Sequence, residues 1–301
     1  MSGFRKSPLH LSLLLVSSLS PALAEVVVER FDSDPAPLFS THGESAHLIR
    51  IEPTPSRFPG DVPGSLAVTF DSLESTSRIL RILPTPVTES DDFVLGAVMT
   101  IRAAGFEPDP FGFHPITVCL LNTATTGDDR TGEITDFRAD TFDTLELAYF
   151  PNVSPFFGGP FISPTAFGEP IADDAFANFS FNSAELTMLP EVTYLVELEH
   201  SAAARTLAVQ VSVVSSTGMA VPLVDGVIAA DLSGLTGFTL DAIGVSMYHD
   251  GFNLFAQSGR SLLATVDYDL IFFGRKEEGR LPAGLVQALA RLKRTSPRIR
   301  E

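Results

Sequence analysis

Residues 122–143, NTATTGDDRTGEITDFRADTFD, carry the densest run of carboxylates in the chain. Calcium takes about six to eight oxygen ligands, and Asp128, Asp129, Glu133 and Asp136, with turn carbonyls, could supply them. The spacing does not follow the EF-hand loop. Adjacent Asp residues beside Gly127 also suit a solvated turn, with Arg130 and Arg138 as partners. An acid/base pair across a glycosidic bond is a second chemistry open to such residues. The run Asp140-Thr-Phe-Asp143-Thr-Leu-Glu146 spaces its carboxylates by three, which alternates strand faces and does not build that pair. The sequence contains no Gly-x-Ser-x-Gly elbow, no His-Glu-x-x-His and no phosphate-binding Gly loop. His42, His47, His114, His200 and His249 show no ligand-pair spacing on one element, so they read as isolated side chains rather than a zinc site.

A second candidate region is apolar. Residues 151–175, PNVSPFFGGPFISPTAFGEPIADDA, contain five Pro, which predict no regular structure there. Phe156, Phe157 and Phe161, with Tyr149 and Asn152, form the candidate ligand-binding surface. The alternative is that these rings plug an open edge of the fold. The segment GFEPDPFGFHP, residues 105–115, has similar chemistry and is expected beside it.

The elements that must position these residues show a period of two. In RTLAVQVSVV, Leu207, Val209, Val211 and Val213 share one face. In YLVELEH, Val196 and Leu198 alternate with Glu197 and Glu199. In LATVDYDLIFF, Val266, Tyr268, Leu270 and Phe272 are expected on one face, with Asp267 and Asp269 on the other. About a dozen such segments without intervening helices predict an all-β, antiparallel β-sandwich or jelly roll. The stretch LPAGLVQALARL differs, placing Leu281, Leu285, Leu289 and Leu292 on one helical face. A short C-terminal amphipathic helix with a basic tail is expected, fraying or packing weakly on the body.

The 301 residues carry a formal charge of −17, 45% hydrophobic residues, one Cys and no Trp. That apolar content excludes disorder, and one Cys excludes a disulfide scaffold. Cys119, in the apolar run ITVCLL, is expected to be a buried thiol. Residues 25–274 hold 34 acidic and ten basic side chains, all ten of them Arg, for a net −24. Such a body repels phosphate backbones, so nucleic acid is not an expected partner. Residues 1–24 read as a signal peptide: Arg5 and Lys6, an apolar stretch from Leu9 to Val16, then Ala22-Leu-Ala24 before cleavage at Glu25. The expected organisation is a leader (1–24), a sandwich (25–274) and a basic helix and tail (275–301). The expected location is secreted, periplasmic or cell-surface, without membrane insertion after cleavage.

Several motifs resemble a known family. FTLDAIGVSMYHDGF and SLLATVDYDLIFFG, with Val266-Asp-Tyr-Asp269 at its centre, look like the closing strands of concanavalin A-like, laminin-G-like jelly rolls. GSLAVTFDS, from Gly64 to Ser72, resembles an early strand of those domains. Glu146-Leu-Ala-Tyr-Phe-Pro-Asn152 is similar to the legume-lectin metal strand Glu-Leu-Asp-Thr-Tyr-Pro-Asn, whose Asp and Asn are metal ligands; Ala148 and Asn152 stand at those two positions. The resemblance implies a non-catalytic binding domain with glycan as the ligand class and calcium as the candidate cofactor. A structural protein of the cell exterior that contacts surface proteins, and a polysaccharide-acting hydrolase or lyase, stay open as alternatives. The chain brings only four Tyr (Tyr149, Tyr194, Tyr248, Tyr268) to any sugar stacking, against 24 Phe.

Overall fold

A computed structural model describes residues 25–32, 37–43, 50–52, 64–71, 76–102, 105–106, 115–123, 143–153, 158–168, 178–223, 227–248 and 262–293. Eighteen strands and one helix lie among them. The first nine strands are β1 (Val26–Glu29), β2 (Ser40–Gly43), β3 (Arg50–Glu52), β4 (Ser65–Asp71), β5 (Thr76–Thr88), β6 (Phe93–Ile101), β7 (Gly105–Phe106), β8 (Ile116–Leu121) and β9 (Thr144–Phe150). Then come β10 (Phe161–Phe167), β11 (Phe179–Phe181), β12 (Ala184–Glu185), β13 (Thr193–Ser201), β14 (Thr206–Val214), β15 (Ala220–Pro222), β16 (Ile228–Asp231), β17 (Thr239–Tyr248) and β18 (Leu262–Arg275). The helix is α1 (Ala283–Lys293).

All strand pairings are antiparallel and fall into two sheets. A ten-stranded sheet runs β15-β14-β13-β6-β18-β4-β3, with β1 and β7 also on β18 and β16 on β14. An eight-stranded sheet runs β11-β10-β9-β8-β17-β5-β2, with β12 beside β11 on β10. One large apolar cluster lies between them. It takes Leu66, Val68 and Phe70 from β4 and Leu95, Ala97 and Met99 from β6. It takes Val118 and Leu120 from β8, Leu145 and Leu147 from β9, and Ile243 and Val245 from β17. Each set is spaced by two, so each strand sends alternate side chains into the core. The expected faces of β13 and β14 hold: Val196, Leu198, Leu207, Val209 and Val211 are buried in this cluster.

Three expectations change. First, β18 does not keep one face throughout. Its register against β6 shifts between Tyr268 and Leu270, a bulge at Asp269. Val266 and Tyr268 point into the core, but beyond the bulge Ile271 and Phe273 take that place. Leu270 and Phe272 are thereby turned to the outer side. Second, the Pro-rich segment contains a strand, β10. Pro164 pairs with Leu147 on one side and accepts a bond from Asn182 N on the other (3.4 Å). In an antiparallel strand N and O of one residue point the same way, so the missing N–H of Pro164 faces the break between β11 and β12.

Third, the C-terminal helix docks. Leu285 and Leu289 are buried against Val94, Val98, Leu195, Leu270 and Phe272 on the outer side of the ten-stranded sheet, with Leu281 partly buried. Each fully buried Leu contributes on the order of 1.5–3 kcal/mol, enough to hold so short a helix. Gly96 makes room beneath this layer: a Cβ there would stand 2.4 Å from the Phe272 ring and 2.4 Å from the Val196 carbonyl. The strand leading to the helix is tied down by charge. Arg275 pairs with Glu25 (3.4 Å) and Asp91 (3.0 Å), and Lys276 with Glu199. No helix among the described residues is long and apolar enough to cross a membrane.

The two sheets also meet along one side. Ser180 Oγ donates to the Asp231 carbonyl (2.6 Å) and Asn182 Nδ2 to the Ala229 carbonyl (2.8 Å), joining β11 and the residue after it to β16.

Candidate functional site

The alternation that sends Leu145, Leu147 and Tyr149 into the core sends Thr144, Glu146, Ala148 and Phe150 to the outer face of the eight-stranded sheet. Strand register carries rows across that face. One row reads Arg78, Ser246, Thr117, Ala148, Ser163. The next reads Gly244, Cys119, Glu146, Thr165, Phe181. Polar members of the rows are buried: Arg78, Thr117, Glu146, Ser163 and Ser246 are each at most 1% exposed. Burial demands hydrogen bonds. Thr117 and Ser246 join hydroxyls at 2.7 Å, and Ser163 and Thr165 at 2.9 Å. Cys119 is buried in a small apolar patch with Leu80, Leu121 and Ala242, as expected for an inert thiol.

At the C-terminal end of β9 the face turns aromatic. Phe150 and Phe161 oppose each other in register, and their rings stack at 4.5 Å. Ala148 and Val153 pack beside them. At the other end of β10, Phe167, Phe179 and Phe181 form a ladder with centroid spacings of 4.6 and 5.2 Å. Exposure grows along it: Phe167 is buried, Phe179 half-buried and Phe181 57% exposed.

The predicted site residues separate. Phe161 lies on this face, half-buried, and Asn152 is buried in the turn that follows β9. Tyr149 belongs to the core instead. Its hydroxyl accepts a bond from Met188 N (3.0 Å), and burial pushes its pKa up to about 12. Tyr194 does the same for Leu189 N (2.7 Å), so the two hydroxyls anchor one loop from beneath. Neither ring offers a face to a ligand. Phe156 and Phe157 lie outside the described residues, as do Asp128, Asp129, Glu133 and Asp136 of the calcium expectation. Among the described residues there is no group of three or more His, Cys, Asp or Glu that could hold a metal ion.

The acidic and the Phe/Pro regions join the sheet at opposite ends of β9. Leu121 pairs with Thr144 at one end, and Ile116 with Tyr149 at the other. Six residue steps along β9 separate the ends by about 20 Å. The acidic end is fastened by Asn122, whose N and Nδ2 bond the Asp143 carbonyl (2.9 Å) and carboxylate (3.1 Å). Thr123 adds two bonds of 2.8 Å to the Asp241 carboxylate. β8 begins and β9 ends at the same end of the sheet, while residues 107–114 and 154–157 lie outside the described residues.

Other polar residues are structural. His200 lies buried between Phe93 and Phe238, with its Nδ1 bonded to the Asp91 carbonyl (2.7 Å); burial lowers its pKa. Asn178, in the sequon Asn178-Phe-Ser, is buried and braces Thr236 through two bonds (2.9 and 3.0 Å). Asn152, in Asn152-Val-Ser, is also buried, so neither sequon presents its amide on the surface. Sequence reasoning did not single out Phe179 and Phe181. Their signal was present in Phe179-Ser-Phe181-Asn, aromatic at every second position.

No family model matches the chain, and no curated protein matches it. Solved structures do. Lectin UEA-II complexed with galactose matches with a TM-score of 0.51 and 10% identity, covering 84% of this chain and 99% of that one. Peanut lectin with a nonamer peptide gives 0.49 and 11%, covering 85% and 98%. Winged bean acidic lectin complexed with methyl-α-D-galactose gives 0.48 and 11%, covering 84% and 100%. At these identities the likeness is one of fold. Two antiparallel sheets in this topology, matched along nearly the whole length of a lectin, give this chain the concanavalin A-like jelly-roll fold of legume lectins.

Proposed function

We propose that this protein is an exported, non-catalytic glycan-binding domain. The observation that carries the reading is its likeness to a lectin complexed with galactose, over 84% of this chain and 99% of that one. The ligand end of the molecule is the C-terminal end of β9, where the stacked Phe150 and Phe161 rings adjoin the Asn152 turn. Aromatic faces take the CH-rich side of a sugar ring, and Phe161, half-buried at this end, is the ring that offers one. Residues 1–24 serve as the export leader, so the secreted product begins at Glu25, directly before β1. Calcium, if bound, is held by the acidic segment 122–143.

A glycan array probed with the cleaved protein, once with calcium and once with EDTA, tests the reading. Binding to a defined set of glycans, lost in Phe161→Ala, is expected. Loss of that binding in EDTA assigns calcium a part in it. Absence of glycan binding in both conditions overturns the proposal.

A further inference from the structure

Strand β1 is an open edge of the ten-stranded sheet. It pairs with β18 alone, and Arg275 N donates to the Glu25 carbonyl (3.2 Å). That bond fixes the alternation: Glu25, Val27 and Glu29 aim their main-chain groups at β18, while Val26 and Val28 aim theirs away. Among the described residues nothing bonds the N–H or C=O of Val26 and Val28. At the far edge of the same sheet, Pro222 turns its ring outward from β15, and the β16 carbonyls of Ala229 and Asp231 are already bonded. β1 carries neither device.

A cleft flanks this edge on each side. Toward α1, a cleft of about 610 Å³ is lined by Val26 and Val28 and, from the helix, by Gly284, Gln287 and Ala288. Toward β5, a cleft of about 420 Å³ is lined by Glu25, Val27, Leu38, Arg81 and Ile82 among others. Successive side chains of an extended strand point to opposite sides, so a strand laid along β1 enters both clefts. Leu38 is 50% exposed and Ile82 56%, an apolar rim for the second cleft. The Glu25 carboxylate sets the charge. Its oxygens accept no hydrogen bond, although Arg275 Nε stands 3.4 Å away as an ion-pair partner. Arg81, in the same cleft, is paired with Glu29 (3.4 Å). A lysine opposite Glu25 supplies the donors and lays its methylenes along the apolar rim. A second copy of the chain fits poorly. Antiparallel pairing of two β1 strands about Val27 sets Glu25 against Glu29, and each body carries 34 acidic side chains to ten basic ones.

We infer that β1 is a docking edge for an extended segment of a different protein. The segment adds itself antiparallel to β1, apolar where it meets Val26, Val27 and Val28 and basic opposite Glu25. Main-chain bonds to Val26 and Val28 supply affinity, and the two clefts and Glu25 supply selectivity. The inference is independent of the glycan-binding reading.

Fluorescence anisotropy with a labelled peptide, acetyl-Ser-Thr-Val-Leu-Val-Lys-Ser-amide, tests it on the protein beginning at Glu25. Saturable binding is expected. Methylating the backbone nitrogens of the two Val residues in the peptide weakens it about tenfold or more, because each loses a main-chain bond to the edge. Val28→Pro in the protein has a similar effect and spares the β1–β18 bonds, since the lost N–H faces outward. Gln287→Trp, at an exposed position of α1, fills the outer cleft and weakens binding without touching β1. Glu in place of Lys in the peptide weakens it as well. No saturable binding, binding indifferent to N-methylation, or equal binding of the Glu peptide overturns the inference. The peptide arms decide even where a protein variant fails to fold. Self-association seen by sedimentation and removed by Val28→Pro, without peptide binding, overturns it in favour of a second copy.

Discussion

The outer faces of the two sheets solve opposite problems. On the ten-stranded sheet, Val94, Val98, Leu270 and Phe272 point away from the core, and α1 covers them with Leu285 and Leu289. On the eight-stranded sheet, the equivalent positions hold Arg78, Thr117, Glu146, Ser163 and Ser246, flanked by Phe rings. An apolar outer face is a second core and needs a lid. A polar one is held by hydrogen bonds within and across strands, and its chemistry stays specific to direction. The difference is one of chemistry: both outer faces are buried, one by apolar packing under a helix and the other with hydrogen-bonded polar side chains.

Three measurements break or sharpen this contrast. The largest effect is expected from Leu285→Ala, which opens a cavity under the helix and costs about 2–5 kcal/mol in urea unfolding. A loss below about 1 kcal/mol would mean that the helix is an ornament on an already stable sheet. Thr117→Val keeps the shape but leaves the buried Ser246 hydroxyl without this partner, costing about 1–3 kcal/mol. An unchanged midpoint would show that the polar rows carry no structural weight. The smallest effect is a pH slope from His200. Its folded pKa is lowered from the ordinary 6.5, so below that pH the unfolded chain binds a proton that the folded chain refuses. Stability is level above about pH 6.5 and falls as pH drops towards the lowered folded value, by at most ~1.4 kcal/mol per pH unit. His200→Gln flattens this slope, measured by thermal melts across the window. An identical slope in the variant removes His200 from the account.

Much of the fold was legible in the alternation of β13 and β14, because one face of each meets the core and the other carries polar residues such as Glu197, Glu199 and Gln210. The parts that escaped have identifiable causes. The Asp269 bulge inverts the faces of β18 without leaving a mark in its apolar periodicity. The prolines of 151–175 hid β10, since whether Pro164 is tolerated depends on a break in a neighbouring strand. The docking of α1 had a trace in β6, whose FVLGAVMTI is apolar on both faces and so calls for cover on both. Phe161 lies half-buried on the outer face, whereas Tyr149, read as a surface ring, is buried. The parity of Leu145 and Leu147 already placed that ring in the core, a constraint stronger than its suitability for stacking. The Phe181 ladder needed register between β10 and β11, which one sequence does not contain.

The side chains of Ser180 and Asn182 occupy the Asp231 and Ala229 carbonyls along β16. Those carbonyls are the acceptors that a foreign strand would need in order to add itself to the sheet there. A chain rich in β-forming segments is thereby denied one template for fibril growth. The two polar side chains act as gatekeepers against self-propagating assembly, a safeguard that matters most when the protein is abundant.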